Sequence, residues 1–96
     1  MLNVPIELSG SYEKGTLLTW FVRNDKLPAG NWHFCIYRKG PGDKNFKYYM
    51  SSAQTDRTYK EHTLKAGETA EYYIELQFED GRHSQSSNTV TVTRKE

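Results

Sequence analysis

The sequence predicts an all-β fold, a seven-stranded sandwich, and three observations predict it. Apolar residues alternate with polar ones at period 2 in nearly every apolar segment. The segments are short and close on Gly, Asn, Asp or Ser, with a turn signal about every ten residues. No window sustains an apolar repeat of 3.6 over about a dozen residues, so no long helix is expected.

Val4-Pro5-Ile6-Glu7-Leu8 places Val4, Ile6 and Leu8 on one face, and Pro5, which cannot donate to a ladder, marks an edge strand. Residues 9–15 read as a turn. Residues 16–23 (TLLTWFVR) read as the second strand, with Leu18, Trp20 and Val22 sharing a face. The polar stretch 24–30 leads to a third strand at 31–39, where Trp32, Phe34 and Ile36 align. Gly40-Pro41-Gly42-Asp43 is a strong turn before a fourth strand at 45–51. A short strand at 58–63 follows the polar turn 52–56. Residues 69–79 give the longest alternation, with Tyr72, Ile74, Leu76 and Phe78 on one face. Asp80-Gly81-Arg82-His83 turns the chain into a last strand at 88–93, with Val90 and Val92 inward. One buried face per strand implies two sheets about 10 Å apart. Trp20, Phe34, Ile36, Tyr72, Ile74, Val90 and Val92 are expected at the centre.

The chain, 1–96, has the length of a single domain and can bury roughly two thirds of its unfolded surface. Its lone Cys35 has no internal disulfide partner, so packing must hold the fold. Thirteen basic and twelve acidic side chains leave a net charge of +1, spread along the chain. No basic cluster of the kind nucleic acid demands is present, and no apolar run approaches the roughly 20 residues that cross a bilayer. Met1-Leu2-Asn3-Val4-Pro5 has neither a basic nor an apolar leader region, so no signal peptide is expected in this chain. A domain excised from a longer protein is the favoured expectation.

Several stretches, in order and spacing, resemble the fibronectin type III family over essentially the whole chain. Leu17-Leu18-Thr19-Trp20 fits the family's second strand, and Phe34-Cys35-Ile36-Tyr37-Arg38 fits its third. Leu64-Lys65-Ala66-Gly67 resembles the corner before strand F, and Tyr72-x-Ile74-x-Leu76 resembles that strand. Gly81-x-x-Ser84-x-x-Ser87-Asn88 with Thr89-Val90-Thr91-Val92 resembles the closing hairpin. The wording is similar to modules of large bacterial extracellular proteins, including polysaccharide-active enzymes. The resemblance implies an immunoglobulin-like sandwich with strands C′, C, F and G in one sheet. One departure stands out: the family's corner tyrosine falls on Ala70, so the corner is either missing or replaced by Tyr72 or Tyr59.

Catalytic chemistry finds no support. The glutamates, Glu61 among them, are scattered over separate segments, as on a solvated surface. No nucleophile-elbow spacing occurs, and the seven glycines sit singly at turns without opening a phosphate-binding helix. His33 and Cys35 leave one strand face, but a zinc site needs three or four ligands; they read as a surface histidine beside a half-covered thiol. No cofactor or metal is expected. Asp80-Gly81-Arg82 reads as a hairpin turn.

Aromatic surplus is the one feature above background: two Trp, seven Tyr and four Phe. If Phe34, Ile36, Tyr72 and Ile74 point inward, His33, Cys35, Tyr37, Tyr73, Glu75 and Gln77 point outward. Tyr37 and Tyr73 then stand together on the C′CFG face, with one of Tyr48 and Tyr49 beside them. The candidate ligand face is Tyr37, Tyr49, Tyr73, Arg38 and Gln77. Two readings stand: cross-strand pairs that stabilise the sheet, or a binding surface. The expected function is a non-catalytic spacer or protein-interaction module of a larger bacterial surface or secreted protein. The alternative is a carbohydrate-binding module using that aromatic face. Expected partners are neighbouring domains or another protein, with polysaccharide under the alternative.

Overall fold

The computed structural model describes residues 1–96 as two antiparallel sheets packed face to face, with no α-helix. The strands are β1 (Glu7–Tyr12), β2 (Thr16–Phe21), β3 (Trp32–Lys39), β4 (Lys47–Ser52), β5 (Thr58–Glu61), β6 (Thr69–Phe78) and β7 (Val90–Thr93). One sheet has the order β1-β2-β5 and the other β4-β3-β6-β7. A 3-10 turn over Asn24–Lys26 joins β2 to β3. No helix is long and apolar enough to cross a membrane.

The alternation carries the core as the pattern requires. Val4, Ile6 and Leu8, then Leu18, Trp20 and Val22, then Trp32, Phe34 and Ile36 are buried, as are Tyr72, Ile74, Leu76, Phe78 and Val92. Each fully buried aliphatic or aromatic side chain contributes on the order of 1.5–3 kcal/mol. Phe34 sits between the edges of Trp20 and Trp32, at ring distances of 5.5 and 5.4 Å. That edge-to-face geometry suits the ring quadrupoles. The Trp32 indole N–H donates to the Pro28 carbonyl at 2.9 Å, fixing the β2–β3 loop across the end of the core. Val90, expected at the centre, is only half-buried, because β7 starts there at the margin of the sheet.

The expected turn over residues 9–15 is shorter than the composition implies. Ser9–Tyr12 continues β1, pairing with Thr16, Leu17, Leu18 and Thr19, and the turn tightens to Glu13-Lys14-Gly15. Gly10 is an inward position of β1 that closes on β7. A Cβ there would lie 2.9 Å from Val90 Cγ2 and 3.1 Å from Val92 Cγ2. Ser-Gly-Ser thus looks like a loop in composition yet is a strand whose core-facing residue must lack a side chain.

Between β6 and β7 the chain keeps pairing with β6 by an unusual route. The Ser84 N–H donates to the Leu76 carbonyl while its hydroxyl accepts from the Leu76 N–H at 2.9 Å. Ser87 does the same with Ile74, its hydroxyl accepting at 2.8 Å. Each buried hydroxyl stands where a strand carbonyl would. Their protons go to the carbonyls of Gln85 and Asn88. The other side of this stretch holds the N-terminal segment. Leu2 N–H donates to the His83 carbonyl, and Val4 N–H to Gln85 Oε1. The Asn88 carboxamide both accepts from Leu8 N–H and donates to its carbonyl. The chain therefore starts beside the β6–β7 turn. It ends beyond β7 near the β1–β2 turn, where Lys95 and Glu96 neighbour Tyr12, Glu13 and Lys14. The long dimension is 43 Å, against 24 and 18 Å across.

Candidate functional site: a tyrosine ladder and a buried carboxylate

The outer face of β4-β3-β6 carries a row of tyrosines. Tyr48, Tyr37 and Tyr73 are direct cross-strand partners on β4, β3 and β6. The Tyr37 and Tyr73 rings are nearly parallel, 10° apart in plane and 4.8 Å between centroids. That distance matches the spacing of neighbouring strands, so the rings stand side by side, each face against the other and edges outward. Phe46 packs edge-on against Tyr73 at 4.9 Å and takes the Lys39 ammonium over its ring. Tyr48 crosses Tyr37 at 80° and 6.1 Å. Gln77 donates to the Tyr37 hydroxyl at 2.7 Å, so Tyr37 leans along β3 over the Cys35 position.

Sequence reasoning named Tyr49 and Arg38 for this face, and the structure turns both inward. A register shift between Ile36 and Tyr37 sets Met50 opposite Ile36 but Tyr48 opposite Tyr37, leaving Tyr49 as the extra residue of a β-bulge. A regular strand would have put Tyr49 outside. Tyr37, Tyr73 and Gln77 do come together there. Cys35 faces outward in register, yet it is 1% exposed rather than half-covered. Burial, helped by the nearby Glu75 charge, pushes its thiol up to about 11. Iodoacetamide at pH 8 is therefore expected to label Cys35 at least about 100-fold more slowly in the native protein than in urea. Comparable rates in mass-spectrometric time courses would show the ladder does not cover it.

The inward-turned residues meet at the largest surprise in the molecule, Glu61. Expected on a solvated surface, it closes β5 facing the interior, its side chain 4% exposed. Short strands hide this signal: Tyr59 and Glu61 share the inward face of a four-residue strand in which no apolar residue announces the phase. The Tyr49 and Tyr59 hydroxyls donate to Oε1 at 2.6 and 2.9 Å. Tyr72 and Thr63 donate to Oε2, where Arg38 Nε also stands at 3.3 Å. Arg38 further donates to the Thr63 hydroxyl and lies over the Tyr49 ring. Burial alone would raise the carboxyl, but the three tyrosine hydroxyls and Arg38 outweigh it and hold it below its usual range. The same burial and the anion's acceptance push Tyr72 up to about 12 and raise Tyr59 and Tyr49.

This cluster also settles the geometry at the bend into β6. Ala70 occupies the expected corner position and is buried, and Tyr72 spans inward to the Glu61 carboxylate rather than to backbone. Tyr59 converges on the same acceptor. Arg94 completes the bend, donating to the Leu64 carbonyl at 2.9 Å.

No family model and no curated protein matches this chain. Among solved structures, one described as a myokine structure is similar over the whole of both chains, with a TM-score of 0.73 and 14% identity. The crystal structure of beta-1,2-glucanase from Parabacteroides distasonis is similar over all of this chain but 13% of its own length, with a TM-score of 0.72 and 18% identity. At such identities the likeness is one of fold. The class is an all-β two-sheet sandwich compatible with an immunoglobulin-like or fibronectin type III domain.

Proposed function

We propose that this chain is a fibronectin type III-like accessory module of a larger bacterial surface or secreted protein, a rigid spacer and protein-contact domain without chemistry of its own. The observation that carries the reading is the route of the chain, which enters beside the β6–β7 turn and leaves beside the β1–β2 turn, at opposite ends of a 43 Å body. Such a module adds its full length between neighbours. The topology β1-β2-β5 over β4-β3-β6-β7 supports the family reading, as does the likeness to a segment of a much longer glucanase. The one buried carboxylate supports a non-catalytic role: Glu61 is saturated with donors and faces no cleft a substrate could enter.

Two copies joined through a short linker test the spacer. Small-angle scattering is expected to give a maximum dimension near twice the 43 Å of one domain. A compact pair folded side by side would sink the reading.

A further inference from the structure

We propose that a notch at the open end of the β2 edge binds the C-terminal carboxylate of an extended peptide from a protein partner. The inference rests on the protein-contact part of the reading above and is separate from the spacer geometry. Strand β5 is too short to cover β2. Thr58 pairs with Thr19, the Trp20 N–H still reaches the Arg57 carbonyl at 2.9 Å, and beyond Arg57 the chain leaves the edge for the β4–β5 turn. Val22 lies two residues past Trp20, so its N–H and carbonyl point to the same side. Neither has a hydrogen-bond partner, although the residue is 5% exposed. An open cavity of about 500 Å³ takes the place of the missing strand, lined by residues 20–25 and Arg57. Trp20, itself buried, leaves its indole N–H unpartnered in the same wall.

Geometry and charge select the occupant. A strand added beside Val22 cannot run on, because β5 already holds the rest of the edge. It must end against Arg57, and a strand in line with β5 and antiparallel to β2 arrives there with its C-terminus. Arg57 Nη1 donates to the carbonyls of Gln54 and Asp56, at 2.9 and 2.7 Å, and the guanidinium lies over the buried Phe34 ring at 5.1 Å. Its Nε and Nη2 have no acceptor. Of the other charges lining the notch, Arg23 and Asp25 answer each other at 2.6 Å, which leaves Arg57 unmatched. Asp56 keeps its charge, since only the Ser52 hydroxyl and the Ala53 N–H donate to it, but it does not line the notch. Lys26 and Glu7 border a separate hollow across Phe21 and offset one another. A peptide amine would meet like charge at Arg57, whereas a carboxylate meets two free donors in a fork.

Isotope-edited NMR titration of the full 96-residue chain provides the test. The probes are acetyl-Thr-Val-Thr-Val with a free C-terminal carboxylate, the same peptide as its C-terminal amide, and sodium acetate alone. The free acid is expected to shift the Val22 amide, the Trp20 indole N–H and the Arg57 side chain saturably, and the amide to bind at least about tenfold more weakly. Arg57→Ala should abolish the preference for the acid, while Arg57→Lys, a point charge without the fork, keeps part of it. Lys47→Ala, on β4, should change nothing. Should Arg57→Ala fail to fold because it uncovers Phe34, the comparison of acid with amide on the unaltered protein still decides. Equal binding of acid and amide, the same shifts from acetate at the same concentration, shifts centred away from Val22, or no shift with either peptide overturns the proposal. The scattering test of the spacer stands or falls separately from this one.

Discussion

Glu61→Ala is expected to lower the unfolding free energy by about 3–5 kcal/mol, because it strands a buried cation and removes the shared acceptor of three tyrosine hydroxyls. Arg38 would remain 13% exposed without a counter-charge, and Tyr72 would hold a fully buried hydroxyl with its main acceptor gone. Urea unfolding at pH 7 measures the loss, and a change under about 1 kcal/mol would show that the cluster relaxes freely. The same group sets a pH dependence. Its folded carboxyl lies below the ordinary value, so its contribution is present above about pH 4.3 and drains away as pH falls through the folded value. Glu61→Gln should therefore flatten the acid limb of the stability curve. Tyr72 acts with the opposite sign: its raised hydroxyl contributes below about pH 10, and that contribution is lost as pH rises through the folded value near 12.

The second large effect is expected at the serine seam. Ser84→Ala or Ser87→Ala leaves the N–H of Leu76 or Ile74 without its acceptor inside the sandwich, at about 1–3 kcal/mol each. Ser→Thr keeps the acceptor and should cost less at either site. Hydrogen exchange resolves the cause: the amides of Ile74 and Leu76 should lose protection first in the alanine variants. Uniform loss across all strands would instead point to global destabilisation with no special role for the hydroxyls.

Period 2 made most of this fold legible. Every strand was expected, and long alternating runs such as β6 placed Tyr72, Ile74, Leu76 and Phe78 inward without ambiguity. What stayed hidden has a common physical cause, a departure from a regular ladder that composition does not display. Gly10 looked like a turn because its inward role is to be small against Val90. Glu61 looked solvated because β5 is too short to show a phase. Tyr48 and Tyr49 exchanged faces because one extra residue in β4 shifts the register. Ser84 and Ser87 stood out as a spacing, but a serine spacing does not display hydroxyls in the place of carbonyls. Of the candidate face, Tyr37, Tyr73 and Gln77 were readable from β3 and β6, which are regular, while the irregular edge strand was not.

The bulge at Tyr49 also bears on how such a surface could change over generations. It lies on an edge strand, so a one-residue deletion there restores regular pairing at the expense of no central strand. If the residue lost is Tyr48, Tyr49 takes its place opposite Tyr37 on the outer face, Glu61 loses one donor, and Phe34, Ile36 and Ile74 stay where they are. The outer face is thus redrawn by the gain or loss of one residue at a single rim position, while the central strands keep their register.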